Sequence, residues 1–322
     1  MILNDLIDSC LLENGRFECV KMHDLIRDMA IDITNNKSPR PRPHCMIRAG
    51  VLEYNQPPLE EEWIEDVERI SLMHNNLKFL QGSPKCPKLS SLLLQNNLFL
   101  KNISHSFFSH MHNLKVLDLS HTDISFLPDS VSYLRNLRAL LLSWCRELTS
   151  LPSMAKLEAL RVLDLSYTKR LEVLPEGMEM LCNLRRLNLT RAKGLRMFPA
   201  RLLTKLTLVE ELLMSGCQLT ISGSVFVDEL INSKSTVALE LCFESADIFN
   251  KYVRSGHWNS LQSFRFSIGS MQSYLEEKTS VGICGNLLVD GAPILLPGTT
   301  TELNIMECHD FNRLSNCISS GA

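Results

Sequence analysis

A six-residue apolar pattern returns along the chain at nearly constant spacing, and it restricts the possible folds more than any other feature. It reads LxxLxL with conservative exchanges, as in LKVLDL and LRVLDL, and its copies begin 22 to 25 residues apart, at residues 67, 89, 114, 137, 160, 184 and 209. The third residue after each copy is small or polar, in the series Asn75, Asn97, Thr122, Cys145, Thr168, Ala192 and Cys217. A fixed period of this length is typical of a solenoid built from stacked units.

The apolar alternation within each unit predicts a short strand. On a strand, the last two leucines of LxxLxL point to one side and the residue between them points to the other. One unit cannot bury its leucines alone, so stacked units are expected to share a core behind a parallel sheet. The small or polar residue after the strand is expected to turn inward and bond the backbone of the bend, which Ala192 cannot do.

Prolines mark a second register on the segment that returns from each strand to the next. They occur 23 or 24 residues apart, at Pro128, Pro152, Pro175 and Pro199. Proline fixes φ and removes a donor, so it suits an irregular return segment and opposes the alternative of a leucine-rich helical bundle. The two registers together predict a leucine-rich-repeat solenoid of the α/β class, with a curved parallel sheet and an irregular or short helical convex side.

The regular repeats are assigned to 67–219, and 220–322 is expected to hold irregular repeats of a truncated solenoid. In that second part, STVALELCF, LQSFRFSI and TELNIMEC could supply further strands. A different pattern fills 1–34, where two apolar runs flank Asn14-Gly15, a pair that suits a tight hairpin turn. Amphipathic helices are predicted on either side of that hairpin, so the segment is similar to the last part of a winged-helix unit. Residues 35–66 are read as a linker and repeat junction.

The sequence VKMHDLIRDMA at 20–30 resembles the MHD motif of plant intracellular nucleotide-binding leucine-rich-repeat (NB-LRR) disease resistance proteins, coiled-coil class. The junction at 47–80 is similar too, because it has Ala-Gly, a proline, a tryptophan and then RISLMHN. The resemblance extends from residue 1 to about residue 219. It implies that Met22, His23 and Asp24 sense nucleotide in a full-length receptor, where the histidine contacts the β-phosphate side of the bound nucleotide and helps to hold the resting state.

Nucleotide binding by this chain alone is not expected. The phosphate-cradling loop GxxxxGK[ST] does not occur in the sequence, so ADP or ATP is expected only in a full-length receptor and no cofactor is expected here. The resemblance implies a role in plant innate immunity: recognition and autoinhibition by protein–protein binding, in the cytoplasm. An alternative is an adaptor or ubiquitin-ligase substrate receptor without nucleotide switching. That class would have an F-box-like helical segment before the repeats, whereas 1–66 resembles the winged-helix junction.

Composition and motifs argue against several other functions. The net charge of −3 gives no electrostatic reason for nucleic-acid binding. Eleven cysteines occur without a CxxC pair, and no apolar run approaches the ~20 residues of a membrane span. His105, His110 and His112 could be read as metal ligands, but no cysteine or carboxylate accompanies them. Because HExxH and GxSxG are also absent from the sequence, we expect neither a metal site nor catalytic residues.

The candidate partner-binding surface lies just past the predicted strands, on the concave side. Stacking places equivalent residues in columns about 5 Å apart. The column two positions after the last apolar residue contains His74, Asn96, His121, Trp144, Tyr167, Arg191 and Gly216. Its part from His121 to Arg191 has the composition of a binding hot spot, although these side chains could also simply cover the strand ends. Asp118 and Asp164 lie in the neighbouring column, and the expected partner is a pathogen effector, a guarded host protein or the receptor's own nucleotide-binding domain.

Overall fold

The computed structural model describes residues 12–14, 20–22, 44–50, 57–217, 223–233, 235–269, 277–284, 294–306 and 318–320. The predicted helices of the winged-helix segment lie outside these residues. The hairpin between them is confirmed, since β1 (Leu12–Asn14) pairs antiparallel with β2 (Val20–Met22). Its predicted two-residue turn is wrong, because Asn14 lies in the strand and pairs with Val20.

One parallel sheet of twelve strands runs through the described repeats, and its strands follow the order of the chain. The strand labels count every strand in chain order. The twelve are β3 (His44–Ile47), β4 (Val67–Ser71), β6 (Ser91–Leu93), β8 (Val116–Asp118), β9 (Ala139–Leu141), β10 (Val162–Asp164), β11 (Arg186–Asn188), β12 (Glu211–Leu213), β13 (Ala238–Phe243), β14 (Ser263–Ile268), β15 (Thr279–Cys284) and β17 (Glu302–Met306). The predicted fold class is confirmed, because each repeat adds one strand beside the last.

The central leucine of each repeat strand points into a shared core. Cross-strand pairing aligns these leucines from one repeat to the next, and all are essentially inaccessible to solvent: Leu92, Leu117, Leu140, Leu163, Leu187, Leu212 and Leu239. The residues on either side of the central leucine are mostly half-buried on the open face of the sheet. The strand faces are therefore those that the LxxLxL pattern predicts.

The convex side is irregular, as the prolines indicate. Its elements are the short strands β5 (Phe79–Leu80) and β7 (Asn102–Ile103), 3-10 turns at Glu60–Glu62, Asp129–Tyr133, Met178–Met180 and His257–Ser260, and the helices α1 (Leu202–Lys205), α2 (Gly223–Ile231) and α3 (Ala246–Arg254). Pro128 directly precedes one of the 3-10 turns with a φ of −66°. Among the described helices, none has the length and apolarity that crossing a membrane requires.

Beyond residue 220 the repeats change in character. Three predicted strands are found there as β13, β14 and β17, while β15 had not been predicted. A separate parallel pair is formed by β16 (Ile294–Leu296) and β18 (Ile318–Ser320). Here α2 and α3 cover the convex side, and the hydroxyl of Ser245 caps α3 by accepting from the amide of Ile248 at 3.4 Å. The core contains aromatic rings, such as Phe266 against Phe264 and Tyr252, in place of stacked leucines.

Candidate binding surface

An asparagine at the third position after the LxxLxL pattern turns inward and links neighbouring repeats through hydrogen bonds. The side-chain oxygen of Asn97 accepts hydrogen bonds from the amides of Asn75, at 3.1 Å, and Leu77, at 3.0 Å. Its side-chain nitrogen donates to the carbonyls of Leu72, at 2.9 Å, and Leu94, at 2.7 Å. These contacts confirm the expected inward turn, and they satisfy backbone groups in two adjacent repeats at once.

Other residue types at this position make fewer bonds. The hydroxyl of Thr122 donates to the carbonyl of Leu119 at 2.7 Å, and the thiol of Cys145 donates to the same carbonyl at 3.1 Å. Burial raises the pKa of Cys145 to about 11 and that of Cys217 to about 12. These thiols are therefore protonated donors inside the solenoid, and they lack the low pKa of a nucleophilic cysteine.

The residue just before the inward-turned position adopts a left-handed backbone in every regular repeat. The φ values are 57° for His74, 61° for Asn96, 55° for His121, 62° for Trp144, 59° for Tyr167, 54° for Arg191 and 70° for Gly216. Glycine enters this region freely, whereas other residues are disfavoured there by roughly 1–2 kcal/mol. Asparagine and glycine are the residue types that adopt a left-handed backbone most readily. Asn96 and Gly216 were therefore the one indication of this conformation in the sequence.

The left-handed turns stack the predicted binding residues into one array, here called the aromatic column and consisting of His121, Trp144, Tyr167 and Arg191. The ring centroids of His121 and Trp144 lie 5.4 Å apart, and those of Trp144 and Tyr167 lie 4.1 Å apart, with interplanar angles of 10° and 11°. The guanidinium carbon of Arg191 lies 5.8 Å from the Tyr167 ring centroid. Arg146, which the prediction missed, lies 4.6 Å from the Trp144 centroid.

The aromatic column remains partly accessible to solvent. All four of its members are half-buried. The Trp144 ring stacks on both His121 and Tyr167, which accounts for part of its burial. Burial and the nearby Arg146 charge lower the pKa of His121. At neutral pH the stack therefore contains an uncharged imidazole with flanking arginines.

The two aspartates of the neighbouring column hold the backbone of the bend. A carboxylate oxygen of Asp118 accepts from the amide of Ser120 at 2.9 Å. In Asp164, one carboxylate oxygen accepts from the amide of Ser166 at 2.9 Å and from the hydroxyl of Ser166 at 2.6 Å. The side chain of Asn188 donates to the other carboxylate oxygen at 3.1 Å. Burial raises the pKa of Asp118 above its ordinary value. Both aspartates thus have a structural use beside the aromatic column.

The sequence also singled out the MHD residues and three histidines. Met22 is the last residue of β2, whereas His23 and Asp24 lie outside the described residues. His105 is exposed and its ring stacks on Phe126, with the centroids 5.9 Å apart. Within the described ranges, no group of three or more His, Cys, Asp or Glu residues is arranged to hold a metal ion.

Comparison with known proteins first defines the class. Residues 87–146 match the family model described as leucine rich repeat. A solved leucine-rich-repeat protein of Leptospira interrogans superimposes with a TM-score of 0.53 at 20% sequence identity, covering 77% of this chain and 71% of that one. At this identity the likeness concerns the fold alone. The chain is a leucine-rich-repeat protein.

Its sequence relatives then define the family. Disease resistance protein At4g27190 of Arabidopsis thaliana is 34% identical over 281 residues, which cover 83% of this chain and 28% of the relative. Probable disease resistance protein At1g12290 is 44% identical over 140 residues, covering 42% and 16%, and disease resistance protein SUMM2 is 40% identical over 146 residues, covering 44% and 16%, both from the same plant. By sequence the chain belongs with the plant NB-LRR disease resistance proteins. It spans less than a third of the length of these relatives.

Proposed function

We propose that this chain is the recognition and autoinhibition region of an intracellular plant disease resistance receptor, and that it acts by binding protein through the aromatic column. The names of its relatives support a defence role, and its fold supports a role in binding. The observation that carries the proposal is the aromatic column itself. The column places three flat rings and an arginine at a left-handed turn. In the following repeat Gly216 makes the equivalent turn without a side chain, so the turn itself does not require these residues.

The backbone conformation favours a binding role over a covering role. Each non-glycine residue in the left-handed turn is disfavoured by roughly 1–2 kcal/mol. Stacking between rings returns about 0.5–1.5 kcal/mol for each pair, so the stack roughly offsets the strain and adds little net stability. Tryptophan, tyrosine and arginine are the residues most enriched where binding energy concentrates. A half-buried stack of them fits a surface that a partner completes.

A binding measurement with a matched control tests this proposal. We expect Trp144→Gly to weaken association with a separately expressed nucleotide-binding domain of a full-length receptor of this family by about 2 kcal/mol, as for a hot-spot residue. The control is Tyr133→Ala, since Tyr133 is an aromatic residue 57% exposed on the convex side. Equal losses in the two variants, or unchanged binding in Trp144→Gly with the fold intact, would refute the role of the aromatic column.

A second part of the proposal concerns nucleotide. Family resemblance supports a sensing role for Met22, His23 and Asp24 in a full-length receptor in the cytoplasm, but the chain alone is proposed to bind neither ADP nor ATP. Titration calorimetry on the isolated chain should show no binding, and a dissociation constant in the micromolar range would contradict this. In a chain fused to a matching upstream domain, His23→Ala should weaken the resting state and give signalling without ligand. Unchanged resting activity there would count against the sensing role.

A further inference from the structure

Four cations stand side by side where four neighbouring strands begin, and they are here called the basic stripe: Lys115, Arg138, Arg161 and Arg185. Backbone hydrogen bonds set them in lateral register. The amide of Arg138 donates to the carbonyl of Lys115 at 2.7 Å, that of Arg161 to Arg138 at 2.8 Å, and that of Arg185 to Arg161 at 2.8 Å. All four residues are exposed. Neighbouring strands lie about 4.8 Å apart, so the stripe is a row of like charges about 14 Å long.

Carboxylates neutralise the row at one end only. Arg185 forms an ion pair with Glu210, which follows it in the same register, and beside this pair Arg186 binds Glu211. Among the ion pairs of the described residues, none involves Lys115, Arg138 or Arg161. Like charges at this separation repel each other. The next repeat therefore supplies acidic partners for one end of the row, and three cations remain without such a partner in the described part of the chain.

A strip of small apolar side chains borders these three cations. Val116, Ala139 and Val162 follow Lys115, Arg138 and Arg161 in sequence, are aligned across β8, β9 and β10, and are half-buried on the open face of the sheet. Their short side chains leave the sheet surface low beside the charges. A polypeptide can place apolar side chains on such a strip while its carboxylates reach the cations. A nucleic-acid backbone has no apolar part to place there, and the stripe lacks the interleaved aromatic rings on which bases stack.

We propose that the basic stripe binds an acidic polypeptide segment that lies across strands β8 to β10. The pairing of Arg185 with Glu210 shows the interaction that such a segment would repeat at Arg161, Arg138 and Lys115. On an α-helix, carboxylates three or four residues apart recur about every 5.4 Å, close to the strand spacing of about 4.8 Å, so one helix face could meet all three cations. This inference rests on the proposed protein-binding function, but the basic stripe lies where the strands begin, whereas the aromatic column lies beyond the point where they end.

Fluorescence polarisation with a labelled decaglutamate peptide and the full chain tests the inference. Reversing three charges, with Lys115→Glu, Arg138→Glu and Arg161→Glu together, should weaken binding at low salt by about tenfold or more, since each exposed pair contributes up to about 1 kcal/mol. Binding to the unchanged protein should weaken as salt shortens the screening length. The control reverses three exposed lysines of the first two repeats, Lys78, Lys85 and Lys101, which changes the net charge equally and should alter binding by less than about twofold.

Absence of peptide binding, or equal loss in both triple variants, would overturn the inference. The inference would also be overturned if a single-stranded oligonucleotide of equal charge bound the unchanged protein more tightly than decaglutamate does, and if the stripe triple abolished that binding. The surface would then recognise phosphate. If the stripe triple does not fold, Arg138→Gln replaces it, with an expected loss of about threefold and no loss as the contradicting result. Tyr133→Ala, on the convex side, should leave decaglutamate binding unchanged. The stripe is thus tested by the peptide and the aromatic column by Trp144→Gly with the nucleotide-binding domain, so a failure of one can be told apart from a failure of the other.

Discussion

Two substitutions of Trp144 should reverse the usual stability order of alanine and glycine. Trp144 has a φ of 62°, in the left-handed region. Both Trp144→Ala and Trp144→Gly remove the ring that stacks on His121 and Tyr167 and lies under Arg146. Alanine keeps the steric conflict of its Cβ in this conformation, whereas glycine removes it. The difference between the two variants therefore isolates the backbone term from the side-chain term.

The magnitude follows from two opposing contributions. Removing the left-handed strain favours glycine by roughly 1–2 kcal/mol, while the extra freedom of glycine in the unfolded chain favours alanine by about 0.4–1 kcal/mol. Trp144→Gly should thus be more stable than Trp144→Ala by about 0.5–1 kcal/mol. Trp144→Ala should be less stable than the original protein by about 1–3 kcal/mol, because two ring pairs are lost while the backbone strain remains, and Trp144→Gly should lose correspondingly less.

Urea unfolding of the purified variants measures this order, with Val162 as the control site. Val162 lies in β10 and is also half-buried on the open face, but its backbone is that of an ordinary strand. There glycine should be less stable than alanine by about 0.5–1 kcal/mol. Finding Trp144→Ala as stable as Trp144→Gly, or more so, would refute the argument that the aromatic column is held at a backbone conformation that favours glycine.

Three further predictions concern the solenoid itself. Leu163→Ala should lower the free energy of unfolding by about 2–5 kcal/mol, against about 1 kcal/mol for Asp164→Ala, which loses hydrogen bonds to Ser166 and Asn188 but no buried apolar contact. Equal losses in urea would contradict the assigned strand faces. Asn97→Ala should lower the same free energy by about 2–4 kcal/mol because four backbone groups lose their partner, and a thermal melt unchanged by this substitution would disprove that role. With iodoacetamide at pH 8, the exposed Cys182 should react, whereas Cys145 should not, because burial raises its pKa to about 11. Early modification of Cys145 in the folded protein, detected by mass spectrometry, would argue against that burial.

The repeat architecture could be predicted from sequence because its determinants are local. The period-2 alternation within LxxLxL identifies which side chains face the core, and the repeated spacing requires the units to stack, so the burial of residues such as Leu163 followed directly. The inward turn of Asn97 could be expected for the same reason, since the bend leaves backbone groups that need a partner. The residues of one column could also be identified from the repeat spacing, which places Trp144 and Tyr167 at equivalent positions of neighbouring repeats.

The backbone conformation and the side-chain contacts within those columns were decided only by the tertiary structure. The sign of φ at Trp144 is absent from the hydrophobic pattern, because a left-handed turn is selected by the path of the chain between two stacked repeats. The position of Arg146 over the Trp144 ring likewise joins residues that the repeat spacing did not mark. Past residue 220 the period fails, and packing of α2 and α3 against longer strands replaces it. Lateral neighbours in a solenoid lie one repeat apart in sequence, and their register is set by hydrogen bonds between repeats, which no local pattern contains.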